Sequence, residues 1–280
     1  MKNLLYILFF LCFTFHGSAQ NLVCSPQDRE AFNSKIRTIS DLKTQDIGRT
    51  MVAVGKTFIG IPYVAKTLEI GETESLVINF QGLDCTTFVE NVLAFSLMVQ
   101  NNEKDFDSFI DHLETIRYKD GQLNGYSSRL HYFSEWIANN EHKGLLKDMT
   151  SQIGGVESTK AINFMSTHRE LYPFLKDADN YEKIQASEQF LKSQSICILP
   201  QDQIKANEHL IQSGDIIALT TSIKGLDITH TGIASRESDG RIHLLHASTG
   251  SMEVEVSKLP LTEYLKGIKS NTGIMVARPL

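Results

Sequence analysis

Leu83-Asp84-Cys85-Thr86-Thr87-Phe88-Val89 is the stretch around which the chain is organised. Asp84 is a good helix N-cap. Phe88, Val89, Val92, Leu93 and Leu97 recur behind it at helical spacing, which predicts a helix to about Gln100. Cys85 then falls in the first turn, where unpaired backbone N–H groups and the positive end of the helix dipole favour a thiolate, the nucleophilic form. Cys85 also lies on the same face as Phe88, Val89 and Val92, so it points inward. A free cysteine is most often a small core residue. What would set this one apart is partners brought in from elsewhere in the chain.

Upstream, the first twenty residues stand apart. Lys2 gives a positive start, Leu4 to Phe15 is almost wholly apolar, and Gly17-Ser18-Ala19 offers small residues before Gln20. This is the pattern of a secretory signal peptide with cleavage after Ala19, and the apolar run is short for a membrane span. Cys12 lies within that run without the small residues of a lipoprotein site. The mature chain, 20–280, is therefore expected to be exported, to the periplasm or the exterior, with no stable membrane insertion. A net charge of −6, 41% hydrophobic and 21% charged residues describe a soluble globular protein, and lysines and arginines form no basic run. Nucleic acid is an unsuitable partner. Cys24, Cys85 and Cys197 remain in the mature chain. An odd number in an oxidising compartment leaves at least one free, and a Cys24–Cys197 pair would leave Cys85 reactive.

Residues 20–50 are polar with weak helical periodicity, and Ser25-Pro26 is a helix start. Met51 to Ile61 is apolar and leads into Pro62-Tyr63. Leu68 to Phe80 has the β-branched, alternating character of extended structure around Leu76-Val77-Ile78-Asn79-Phe80. From about 101 to 207 the chain is mainly helical and charged. Phe106, Phe109, Ile110 and Leu113 make one face, Gly154-Gly155 marks a loop, and Tyr181 to Leu191 is another helical patch. Within this insertion Arg129 has aromatic neighbours. It is a candidate to bind a substrate carboxylate bidentately, with a pair to Glu135 as the alternative. The last third changes character: Ile216 to Thr221, Thr229 to Ala234, Arg241 to Ala247, Met252 to Val256 and Gly273 to Arg278 are short β-type runs bounded by turn residues. They predict an antiparallel sheet and an α+β fold in one domain.

Two of those strands carry His230 and His246, joined through Ser238-Asp239-Gly240. A two-residue Asp239-Gly240 loop would pair His230 with Thr249 and put His243 on its face. A three-residue loop would pair His230 with Ser248 and His246 with Gly232, making the two histidines diagonal neighbours roughly 7–8 Å apart at the backbone. Gly240 suits the left-handed end of the longer loop, yet Asp-Gly is also a good two-residue turn, and spacing leaves both open. Chemically, a thiol nucleophile needs a base, and the base needs an orienting group. Cys85, His230 and His246 can fill those roles, His246 fixing the tautomer of His230. A zinc site is the weaker alternative because no close metal spacing occurs. No metal or cofactor is called for.

Taken in order, Gly60-Ile61-Pro62-Tyr63, Asp84-Cys85-Thr86-Thr87-Phe88-Val89, Ser213-Gly214-Asp215-Ile216-Ile217, His230-Thr231-Gly232-Ile233-Ala234 and Leu244-Leu245-His246-Ala247-Ser248 resemble the NlpC-type, papain-like cysteine peptidases and amidases that cleave bacterial cell-wall peptides. The resemblance implies a cysteine-bearing helix packed on an antiparallel β-sheet, with Cys85 as nucleophile, His230 as base and His246 as orienter. It thereby favours the three-residue loop. It also implies that Tyr63 lines the site and that Asp84 helps bind substrate. Three features depart from the usual pattern: Thr86-Thr87 stands where Ser-Gly is common, no glycine pair follows the tyrosine, and the span from Cys85 to His230 is long. The last suggests a helical insertion that walls or caps the groove. The Ser128-Arg129-Leu130-His131-Tyr132-Phe133 passage and Thr167 to Pro173 are similar to an N-acetylmuramoyl-L-alanine amidase-like branch.

The expected activity is thus hydrolysis of the N-acetylmuramoyl–L-alanine amide bond of peptidoglycan or, since no wall-binding module is evident, of soluble muropeptides, by a monomer. The same machinery could cut the gamma-D-glutamyl bond to the diamino acid. A non-catalytic muropeptide-binding protein and an acyltransferase are the readings from other classes.

Overall fold

A computed structural model of the chain describes residues 22–42 and 46–280. The apolar leader and its cleavage after Ala19 lie outside these residues. Among the described residues no helix is long and apolar enough to cross a membrane.

The chain opens with strand β1 (Leu22–Cys24) and helix α1 (Pro26–Ile39). Ser25 caps that helix in a reciprocal box with Asp28. Helix α2 (Ile47–Lys56) starts on Asp46, whose Oδ1 accepts from the Gly48 N–H at 2.8 Å. Strand β2 (Leu76–Ile78) pairs in parallel with β1. The extended segment expected over 68–80 is confined to these three residues. Upstream of them the chain turns, with Lys66 and Gly71 at positive φ, because charged and turn-forming residues there have no apolar face to bury.

Helix α3 (Cys85–Asn101) follows, capped by Asp84 as expected, and then α4 (Phe106–Arg117), capped by Asp105. Capping aspartates of this kind contribute about 1 kcal/mol each. Phe32, Phe80, Phe95 and Phe109 interlock where α1, α3 and α4 meet; the Phe95 and Phe109 rings lie 4.5 Å apart. Beneath them Arg117 forms a fully buried pair with Glu90 at 2.7 Å and donates a second hydrogen bond to the Val77 carbonyl.

The insertion continues through α5 (Phe133–His142), strands β3 (Leu146–Asp148) and β4 (Val156–Ser158), α6 (Phe164–Thr167), α7 (Ala178–Lys192), β5 (Ile196–Pro200) and α8 (Ile204–Asn207). It is mostly helical, but it also hands three short strands to the main sheet. Tyr126, Tyr132, Met165, Phe174, Ile184 and Leu191 give it a small core of its own. The Tyr132 hydroxyl donates to Glu188 at 2.7 Å and accepts from the Met165 N–H at 2.8 Å. Arg169 spans back to the Leu175 and Lys176 carbonyls under the Tyr181 ring.

The last third is β6 (Ile216–Thr221), β7 (Ile228–Arg236), β8 (Ile242–Ser248), β9 (Glu253–Val256), α9 (Leu261–Lys266) and β10 (Asn271–Pro279), close to the five runs read from the sequence. The sheet order is β4-β5-β10-β6-β7-β8-β9, with β3 also on β10, and every pairing in it is antiparallel. Alternation along β6 explains its two-sided burial. Ile216 and Ala218 enter the core shared with α2 and α3, while Ile217 and Leu219 enter a second core with Leu261 and Leu265 of α9. Helix α3 packs on β7 and β8. The fold is α+β, with the cysteine-bearing helix on an antiparallel sheet.

Candidate active site

Cys85 opens α3, and the local chemistry explains the Thr86-Thr87 pair. Thr87 completes a capping box: its N–H donates to Asp84 Oδ1 at 2.8 Å, and its Oγ1 accepts from the Asp84 N–H at 3.0 Å. A glycine there could not close it. Thr86 serves the thiol, since its hydroxyl and backbone N–H both donate to the sulfur, as does the backbone N–H of Thr231 on β7. The thiol is thereby brought against the residue that follows His230. Burial, reinforced by the Asp84 charge, pushes the Cys85 thiol up to about 12, and those three hydrogen bonds oppose the shift. The helix start therefore does not make a free-standing thiolate here. Desolvation outweighs it.

The β7–β8 hairpin resolves the loop question. Ile233 pairs with Leu245 and Arg236 with Ile242, and Glu237 donates to the Arg241 carbonyl across a three-residue loop whose Gly240 takes φ +78°. The same register sets Gly232 opposite His246, where an added Cβ would lie 2.9 Å from the His246 Cβ. His230 Nε2 meets His246 Nδ1 at 2.6 Å, the rings standing nearly perpendicular. Both imidazoles are buried. Burial lowers His230 to about 4; burial, then the neighbouring His230, lowers His246 to about 3. Each ring is neutral in the resting state. His243, the rival of the shorter loop, points elsewhere, bound by Ser257 and Asp239.

Tyr63 joins the site through the segment Gly60–Val64, which is stitched on both sides. Gly60 and Tyr63 donate to Val254 and Met252 near β9, and Val64 donates to Leu83, just ahead of the helix. Burial, then the charges of Cys85 and Asp84, raise the Tyr63 hydroxyl to about 12. Two residues here were not singled out in the sequence. Tyr264 of α9 stands edge-on to His246 with centroids 5.4 Å apart, and burial, Glu255 and Cys85 raise its hydroxyl. Glu255 of β9 lies directly across the strand pair from His246. No local pattern distinguishes either residue, because strand register and packing of α9 bring them in.

Asp84 and Arg129, far apart in sequence, line one cavity of about 220 Å³ with Lys66, Glu69, Thr86 and Tyr172. The insertion thus walls the space beside the start of α3. Arg129 is buried and paired to Glu69 and to Glu74 (3.5 Å), not to Glu135, which Lys119 holds at 2.9 Å. Glu69 and Glu74 each keep an unpartnered buried oxygen there, and Tyr126 an unpartnered hydroxyl. A larger cavity, about 430 Å³, lies among α5, α7 and β5 beside Cys197 and is lined by neither Cys85, His230, His246, Tyr63, Asp84 nor Arg129. Cys24 and Cys197, the pair the sequence left open, are not joined: Cys24 sits in β1 against β2, Cys197 in β5 between β4 and β10, and the cysteines among the described residues are free.

Residues 53–274 match the family model for AmiA-like, N-acetylmuramoyl-L-alanine amidase-like proteins. Among solved structures, an N-acetylmuramoyl-L-alanine amidase from Bacteroides uniformis is 40% identical, with a TM-score of 0.80 over 84% of this chain and 99% of its own. A Bacteroides fragilis protein provisionally described as a xylanase is 44% identical, with a TM-score of 0.76 over 80% of this chain and 98% of its own. A Legionella pneumophila protein at 23% identity and a TM-score of 0.70 shares the fold over 92% of this chain and 97% of its own. No curated protein matches the sequence.

Proposed function

The chain belongs to the N-acetylmuramoyl-L-alanine amidase-like family, and from that premise we propose that it is an exported, papain-like cysteine amidase that hydrolyses the bond between N-acetylmuramic acid and L-alanine in peptidoglycan fragments. The observation that carries this reading is the buried imidazole pair, 2.6 Å apart, on the hairpin whose Thr231 N–H meets the Cys85 thiol.

In the proposed mechanism Cys85 is the nucleophile, His230 the base and His246 the orienter. Ionising thiol or imidazole alone is opposed by burial, so the proton moves between them as the sulfur attacks, and the two charges that form stabilise each other. The new S–C bond joins Cys85 to the lactyl carbonyl carbon. The resulting oxyanion is met by backbone N–H groups at the start of α3, including that of Cys85. The C–N bond then breaks as His230 returns its proton to the leaving amine of L-alanine, and water hydrolyses the thioester. Tyr63, Asp84 and Arg129 are proposed to bind substrate. For Asp84 and Arg129 the support is the shared cavity beside Thr86, with unpartnered polar atoms around Arg129. Because Glu69 and Glu74 already balance the guanidinium, its role there is to position the cavity wall as much as to attract an anion. A glycosidase would centre on two carboxylates flanking the bond. A thiol beside paired histidines suits acyl transfer instead. The apolar leader supports export, with 20–280 working as a single domain and a monomer.

The test is mass spectrometry of defined muropeptides incubated with the protein and with Cys85→Ala. Release of an intact stem peptide from the sugar, absent in the variant, supports the amidase. Release of muramoyl–L-alanyl–D-glutamate moves the bond to the gamma-D-glutamyl position with the same machinery. Equal cleavage by both proteins, or no cleavage by the folded, reduced wild type, overturns the cysteine amidase.

A further inference from the structure

His246 is fully buried and one of its ring nitrogens has no partner. Nδ1 meets His230, whereas Nε2 makes no hydrogen bond among the described residues. The Glu255 carboxylate is the group that faces it, with Oε1 at 4.0 Å from Nε2. That distance exceeds a hydrogen bond, and a rotation of the Glu255 side chain or one bridging water closes it. The two residues are a directly opposed pair on β8 and β9, so the sheet itself fixes their approach.

The tautomers make this contact matter. If His230 Nδ1 is to accept a proton, its Nε2 must carry the ring hydrogen and donate to His246 Nδ1. His246 must then carry its own hydrogen on Nε2, aimed at Glu255. In the opposite arrangement His246 donates from Nδ1, a lone pair on Nε2 confronts the carboxylate, and His230 Nδ1 already holds a hydrogen and cannot act as a base. We propose that Glu255 is a positioning residue that selects the Nε2–H tautomer of His246, keeps His230 competent as a base, and stabilises the positive charge that passes onto the pair during turnover. The groups facing His246 are His230 on β7, Glu255 on β9 and Tyr264 on α9, the last with its hydroxyl in the fields of Glu255 and Cys85. Among these Glu255 is the carboxylate and the one that faces Nε2, which is why the role falls to it.

This role rests on the amidase reading for its kinetics and is independent of it for its spectroscopy. The experiment has two arms. In the first, ¹⁵N NMR of imidazole nitrogens in the purified wild type, with no substrate, is expected to show His246 protonated on Nε2. A proton on Nδ1 overturns the proposal whether or not the protein is an amidase. In the second, Glu255→Gln and Glu255→Leu are assayed across pH. Gln retains an acceptor without the charge, so it is expected to keep the Nε2–H tautomer and most of kcat, with the acid limb of kcat/KM displaced to lower pH by about half a unit. Leu removes both, and kcat is expected to fall by about tenfold or more, with KM within about twofold and mixed tautomers at His246. Wild-type kcat and an unmoved acid limb in both variants overturn the assignment. So does a loss confined to KM or to the folded fraction.

Discussion

The insertion and the β7–β8 hairpin both set histidines among ionisable partners, but they close them differently. In the insertion, His131 is half-buried with its Nε2 on the Tyr126 carbonyl at 2.8 Å and its ring against the Tyr126 ring. Tyr132, Glu188 and the Met165 amide form a short loop in which each group finds a partner. On the hairpin, His230 and His246 satisfy one another and leave an outer nitrogen of His246 unspent. A closed network can only hold a shape. An open one retains a proton position to spend, and on the proposed reading that sets this pair apart among nine histidines that look alike in the sequence.

The sharpest way to break that comparison is His230→Ala. It should lower kcat by about three orders of magnitude while the circular dichroism of the folded protein is retained. If turnover survives, the hairpin is only scaffolding. Next in size, Arg117→Leu strands Glu90 in the core under α3. It should cost about 3–5 kcal/mol in denaturant unfolding and change kcat per folded molecule far less than His230→Ala does, because Arg117 bonds Glu90 and the Val77 carbonyl and neither imidazole. Tyr132→Phe should behave likewise at about 1–3 kcal/mol, leaving the Met165 N–H and Glu188 short of a partner. A matching loss of kcat beyond the folded fraction in either variant would erase the distinction between the two regions.

A further effect is in pH. His230 and His246 titrate near 6.5 when unfolded but are held to about 4 and about 3 when folded. Between those values the unfolded chain binds more protons, so their contribution to stability is full above about pH 6.5 and is lost as pH falls towards 4 and 3. The slope is roughly 1 kcal/mol per pH unit for each ring. Activity follows a different limb. It should hold through neutral pH and fall as His230 protonates near 4, which a kcat/KM profile on protein checked for folding would separate from acid unfolding.

The five strands of the last third were legible because their period of two and their turn residues are local signals. The Asp84 cap and the α3 face were legible for the same reason. The hairpin left two loop lengths open, and strand register decided between them. The strands of the insertion escaped notice because β3 and β4 have three residues each, too few to show alternation, and they form only by pairing with β10 and β5. Residues 68–80 misled in the other sense: β-branched composition suggested a longer strand than its paired edge supports. Cys85 was singled out by position, but the sign of its pKa shift was not legible, because desolvation belongs to the packed site and not to the helix start. Tyr264 and Glu255 reach His246 only through α9 packing and the β8–β9 register.

Strands β6 and β8 are buried residue for residue, covered on both sides by separate cores. Backbone amides in such strands should exchange with deuterated solvent only through global opening, whereas the short turns around Tyr172, on the opposite wall of the Arg129 cavity, should exchange through local excursions. His246 is thus mounted on one of these slowest-opening strands, His230 sits on β7 paired between the two, and the cavity wall lies on a faster-opening part. On the proposed amidase reading, a substrate would be admitted by the wall without Cys85, His230 and His246 losing their alignment.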